Sequence, residues 1–176
     1  MKNIAEFYIK KLIPSDKYLN VLPCKDRSLL LPEFNDAVSR SIAKFQSRYP
    51  DVEVVFVETF RSNALQLKHF KNRASKIKSN GMHHYGIAVD LAFKIEGEFS
   101  YQGDYKYLRE CHEMEGLKLL GLWDAGHVQY VPVVKQADLR NTVLMSIKEF
   151  QKQNGLTPDG IVGAKTIAKA KTIYLT

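Results

Sequence analysis

Apolar positions along this chain fall into stretches of helical or strand period, separated by proline and glycine. Phe34, Val38, Ile42 and Phe45 recur at helical spacing, which predicts a helix over about 34–48 that Pro50 stops. Val52–Val57 is rich in β-branched residues and reads as a strand. A helix over about 62–77 follows, with Ser62 placed to cap it. From Ile87 the pattern alternates, with Ile87, Val89, Leu91 and Phe93 on one face and Gly86, Ala88, Asp90 and Ala92 on the other. Residues 96–104 read as a loop or hairpin. Tyr107, Leu108, Cys111 and Met114 form one stripe of a helix over 105–120, with Gly121 closing it. A tight turn and a strand occupy 123–134.

Past Ala137 the character changes. Val143, Ile147 and Phe150 form a helical stripe, two turns span 155–163, and a short helix runs over 164–173. The first 31 residues begin with a short amphipathic segment and continue as a loop-rich lead-in punctuated by Pro14, Pro23 and Pro32. Helices interspersed with short strands predict an α+β fold: a small antiparallel sheet with flanking helices. A small all-α C-terminal module completes it, with the division between residues 134 and 135.

A length of 176 residues suits one ordinary domain plus an appendage, and an apolar fraction of 45% supplies a core and argues against disorder. The net charge of +7 fits an anionic partner and equally fits simple solubility. The cations are dispersed, so the basic runs of nucleic-acid tails are missing and no nucleic-acid partner is expected. Cys24 and Cys111 give no disulfide framework. Glu6, Lys10 and Lys11 interrupt the N-terminal apolar positions, which disfavours a secretory signal; no stretch suits a membrane span. A monomer made in the cytoplasm without stable membrane association is expected.

The alternating strand carries chemistry on its second face, where the smallest side chains border one carboxylate, Asp90. His83, on the loop that enters the strand, is placed to lean over the same space, and the pair suits a divalent metal. Trp123-Asp124-Ala125-Gly126-His127-Val128-Gln129 reads as a turn entering another strand, with His127 and Gln129 on one face. His83, Asp90 and His127 together make three ligands for Zn2+, leaving the fourth tetrahedral position to water, as in catalytic zinc sites. Asp124, three residues before His127, is placed to act as general base. Bland roles compete: Asp90 as a strand-end partner of Arg61, Gln129 as a polar edge or a support for His127, Trp123 as packing. His69 and His112 have no partner in sight, and His84 is left for substrate or backbone contacts.

The pattern H-x-x-G-x-A-x-D from His83 to Asp90, followed by D-x-x-H from Asp124 to His127, resembles the zinc peptidases of peptidoglycan. These are the D-alanyl-D-alanine carboxypeptidase/VanY group and the phage L-alanyl-D-glutamate endopeptidases. Thr59-Phe60-Arg61-Ser62-Asn63-Ala64-Leu65-Gln66 is similar to the segment that precedes the first ligand there. The resemblance covers roughly residues 34–133. It implies a peptidoglycan hydrolase in which Arg61 faces the substrate and stabilises the oxyanion or a carboxylate. Two departures stand out: Gly81 occupies a position where the family has serine, and D-x-x-H in place of E-x-x-H points to the endopeptidase branch, hence to an L-Ala–D-Glu bond. D-alanyl-D-alanine carboxypeptidase is the alternative, as is a non-catalytic wall-binding or tail-associated protein with structural zinc. Phe150-Gln151, Gly155-Leu156, Asp159-Gly160, Val162-Gly163 and Thr166 stand in the order of the small peptidoglycan-binding domain, which implies peptidoglycan as partner. A wall-binding tail without an export signal suits an endolysin released through a holin lesion.

Overall fold

A computed structural model describes residues 1–175; Thr176, the last residue of the expected C-terminal module, lies outside the described residues. In chain order the helices and strands are α1 (Lys2–Phe7), α2 (Pro32–Arg48), β1 (Val52–Glu58), α3 (Asn63–Lys71), β2 (Ala88–Ile95), β3 (Glu98–Ser100), α4 (Tyr105–Met114), β4 (Lys118–Leu119), β5 (His127–Gln129), α5 (Gln136–Gln153) and α6 (Ala164–Tyr174). They gather into two compact units that interleave along the chain. One comprises residues 22–61 and 82–132; the other comprises 1–21, 62–81 and the stretch from Val133 onward.

The first unit is α+β. Its sheet is antiparallel throughout, in the order β1-β2-β5-β4, with the short β3 paired to β2. Ile87, Val89, Leu91 and Phe93 are all buried, and so are Ala88 and Ala92 on the opposite face. The β2–β3 hairpin turns on Glu96 and Gly97, both at positive φ, as a two-residue turn of matching twist requires. α2 opens with Pro32, whose fixed φ suits the first helical turn, so this proline begins a helix and is no part of the lead-in loop. Phe34, Val38, Ile42 and Phe45 are buried along it, and Phe45 meets Phe93 and Tyr107 with ring centroids 5.5 and 5.9 Å apart. A buried polar pair links α2 and α4. Ser41 Oγ donates to Val38 O and stands 2.8 Å from His112 Nδ1, so the imidazole is the donor in that pair.

Two helices are shorter than their apolar periodicity predicts. α4 ends at Met114 and not near Leu120, because Gly116 adopts φ +73° and turns the chain out of the helix. The Leu117 amide then reaches His112 O and the Gly116 amide reaches Glu113 O, the paired bonds of a Schellman cap. Lys118 and Leu119, read as helical, instead form the edge strand β4. α3 ends at Lys71 and not at Ile77 by the same device, with Arg73 at φ +59° and the Ala74 amide bonded to His69 O. At its other end Ser62 Oγ accepts from the Leu65 amide at 3.0 Å, the cap expected of it.

The second unit is helical. α5 and α6 are joined by a turn that one buried side chain organises. Gln151 Nε2 donates to Asp159 Oδ1 at 3.0 Å and Ile161 O at 2.9 Å, and Thr166 Oγ1 lies at 3.2 Å. Gln151 Oε1 accepts from the Gly160 amide at 2.8 Å. Gly160 must be glycine: its φ is +79°, and a Cβ there would stand 2.4 Å from Leu144. α1 continues through Leu12 as a wider, π-type turn; α1 packs on α5, and its extension meets α6. Ile4, Ala5, Tyr8, Ile9 and Leu12 of this segment are buried. Among the described residues no helix is long and apolar enough to cross a membrane.

Candidate metal centre

Sheet register builds the site. β2 and β5 pair Asp90 directly with His127, and Ala88 with Gln129, so the two polar residues of β5 stand on the Asp90 face. On the other side of β2 the pairing with β1 slips by one residue after Phe56, and Glu58 comes opposite Asp90. Without that bulge Glu58 would point to the other face. Glu58, Asp90 and His127 thus form one row across three strands. Gly126 makes the row possible, since a Cβ there would stand 2.4 Å from Leu91 O. His83 arrives from a single 3-10 turn, Met82–Tyr85, immediately before β2.

His83, Asp90 and His127 come together as the sequence predicts, with one ligand atom from each within 4.8 Å of the others, and this group could hold a metal ion. His127 Nδ1 lies 2.9 Å from Asp90 Oδ1, His83 Nε2 lies 3.2 Å from the same oxygen, and the two ring nitrogens are 3.3 Å apart. The outer nitrogens fix the tautomers. His127 Nε2 faces Gln129 Oε1 at 3.2 Å, and the Gln129 amide is oriented by its own bond to Val131 O. His83 Nδ1 faces Thr59 O at 3.4 Å. Protons placed on these outer atoms leave two lone pairs and a carboxylate oxygen directed at one point. Two imidazole nitrogens and a carboxylate oxygen converging in this way are a donor set that fits zinc.

The charges agree. Burial would raise the Asp90 carboxyl, but the charge of His83 and hydrogen bonds from His127 and His83 hold it well below the usual carboxylate range. Burial pulls His127 down, and the hydrogen bond and charge of Asp90, joined by Asp124, outweigh it and hold the imidazole above its ordinary value. The pocket therefore draws positive charge.

Arg61 is placed behind the ligands. Its Nε donates to Glu58 Oε2 at 2.8 Å, and its Nη2 contacts the same oxygen and reaches Asp90 Oδ2 at 3.2 Å. Asp90 thus presents one oxygen to the histidines and the other to Arg61. Glu58 is the residue that sequence reasoning missed; it is 5% exposed, and its Oε1 is buried without a partner. Its only signal was a second acid, after Glu53, at the end of a mostly apolar strand. Asp124 lies half-buried on the turn Leu122–Asp124, where its charge acts on both His127 and Arg61. Trp123, expected to pack, is 81% exposed, and its indole folds back over Gly121, where a Cβ would stand 2.4 Å from Nε1. His84 turns away from the ligands: its Nδ1 donates to Arg61 O at 3.2 Å, and burial lowers its pKa to about 4.

Comparisons with known proteins bear mainly on the helical C-terminal stretch. Residues 135–169 match the family model described as "Putative peptidoglycan binding domain". The resemblance read from Phe150 to Thr166 is met there. Among solved structures, the chain is similar to the crystal structure of the L-Ala D-Glu endopeptidase ChiX of Serratia marcescens, with a TM-score of 0.46 and 22% identity, over 66% of this chain and 96% of that one. No curated protein gives a significant match.

Proposed function

We propose that the protein is a zinc-dependent peptidoglycan hydrolase that cleaves an amide of the stem peptide, between L-Ala and D-Glu by the motif resemblance. Residues 1–134 carry the catalysis in this reading and residues 135–176 hold the wall polymer. The observation that carries it is the convergence of His83 Nε2, Asp90 Oδ1 and His127 Nδ1, with both imidazoles oriented from behind. A bound zinc ion supplies Lewis acidity at the scissile carbonyl and acidifies water. Asp124 takes a proton on its carboxylate and returns it to the leaving amine. Arg61, clamped by Glu58 and Asp90, fixes which oxygen Asp90 offers, and by the motif resemblance its charge faces the oxygen on which negative charge develops. Wall binding by the C-terminal stretch raises the local concentration of substrate.

The test is digestion of purified peptidoglycan with mass analysis of the fragments. Chelation abolishes cleavage, zinc restores it, and new L-Ala carboxyl and D-Glu amino termini appear. Asp124→Ala keeps its metal and loses turnover by about 10²–10⁴-fold. Cleavage that survives thorough metal removal refutes the reading, and release of free D-Ala alone moves it to the carboxypeptidase.

A further inference from the structure

Within the helical unit, α1, α5 and α6 border an open cleft of about 730 Å³. We propose that this cleft is the groove that holds the glycan strand of peptidoglycan, an uncharged chain of N-acetylated sugars, and that the N-terminal helix supplies one of its walls. The proposal rests on the wall-binding reading of residues 135–169 and assigns the surface that does the binding.

The polar part of the motif that marks this segment is taken up by the fold. Gln151, Asp159, Gly160 and Thr166 bond one another across the α5–α6 turn, so their polar groups hold the turn and recognition has to come from elsewhere. The cleft offers what those residues do not. Its apolar lining includes Ile9, Met145, Phe150 and Tyr174, with Met145 64% exposed. Asn141, Ser146 and Gln153 add an amide, a hydroxyl and a second amide. Flat C–H faces of sugar rings suit the first group, and hydroxyl and acetamide groups suit the second.

Charge decides between the glycan and the stem peptide. The cleft carries Lys2 and Lys10 against Glu6 and Glu149, a formal balance of zero in a protein of net charge +7. Lys10 is paired to Glu6 at 2.6 Å, and Glu149 accepts from Gln153 at 2.8 Å. A carboxylate-rich stem peptide calls for surplus cations, which this cleft lacks; a neutral sugar chain does not. Four of the lining residues, Lys2, Glu6, Ile9 and Lys10, come from α1 and its extension.

The experiment uses the full chain. Sedimentation with purified peptidoglycan sacculi compares wild type, Met145→Glu and Ile161→Glu. Ile161 is 68% exposed on the turn between α5 and α6, outside the cleft, and serves as control. Met145→Glu weakens binding by roughly tenfold, because it sets a charge against an apolar floor, while Ile161→Glu binds as wild type does. Amide NMR with N-acetylglucosamine oligomers shifts Lys2, Glu6 and Lys10 together with Asn141 and Met145. A wild type that fails to sediment overturns the wall-binding reading and this groove with it. A wild type that sediments while Met145→Glu binds equally overturns the groove alone. Shifts produced by a free stem peptide and not by the sugar oligomer overturn the ligand class, and retention on chitin but not on sacculi overturns the peptidoglycan source.

Discussion

Glu58 shows how much one unpredicted residue contributes to the site. It shares a row with Asp90 and His127 only because β1 carries an extra residue at Val57, and two carboxylates placed opposite each other on neighbouring strands repel. Arg61 lies between them and turns that repulsion into a clamp that fixes which oxygen Asp90 offers. Glu58→Gln keeps the shape and removes the charge, leaving Asp90 to be drawn toward Arg61 alone. Zinc affinity falls by about 10–100-fold, the usual cost of losing a residue that orients a ligand, as read by competition with a chromogenic chelator. An unchanged affinity would show Glu58 to be a stability residue only. The grouping of His83, Asp90 and His127 was legible in the sequence because each lies on one of two strands or on the turn that enters it. Glu58 was not, because a bulge is a property of the pairing and leaves no mark on one strand taken by itself.

Helix ends teach a similar lesson at the next scale. The stripes in α3 and α4 were legible, and both ran on too far, because the signal that ends each helix is a left-handed residue and not a change in polarity. Gly116 carried that signal, but Gly121 was the more obvious stop; Arg73 carried none, since arginine rarely adopts positive φ. The two sites predict opposite outcomes. Gly116→Ala meets no atom within 4 Å, so its cost is backbone strain alone, about 1–2 kcal/mol. Arg73→Gly relieves the same strain and stabilises by up to about 1 kcal/mol. Urea unfolding of the two variants checks both signs.

The contact between α2 and α4 adds a pH dependence. Burial, with the nearby charge of Arg109, lowers His112 to about 4, against an ordinary value of 6.5. Because the folded value is the lower one, the unfolded chain binds the extra proton. Stability is therefore full above pH 6.5 and is lost as pH falls toward 4, by at most roughly 3 kcal/mol. His84 behaves in the same way, so wild type takes up about two protons on unfolding across that window. His112→Gln should reduce the slope of unfolding free energy against pH by about one proton; a slope equal to that of wild type would place the titration elsewhere.

At the scale of the whole molecule, the C-terminal stretch reads in sequence as an appendage, yet it does not close its core alone. α5 and α6 were legible from Val143, Ile147, Phe150 and the glycines of the turn, and the family match lies on those same residues. The N-terminal segment gave only a short amphipathic start, because its partners lie more than a hundred residues away and nothing local announces them. Ile4, Tyr8, Ile9 and Leu12 are buried in the unit that contains α5 and α6. Cutting the chain after Val134 removes those helices, at roughly 1.5–3 kcal/mol for each large apolar side chain fully uncovered. The fragment 1–134 is therefore expected to bind a hydrophobic dye and self-associate, as measured by dye fluorescence and size-exclusion chromatography. A monomeric fragment with a cooperative unfolding transition would show that the N-terminal helix finds its cover elsewhere. Loss of cleavage by the fragment consequently says nothing by itself about wall binding, and the surface substitutions Met145→Glu and Ile161→Glu separate attachment from catalysis where truncation cannot.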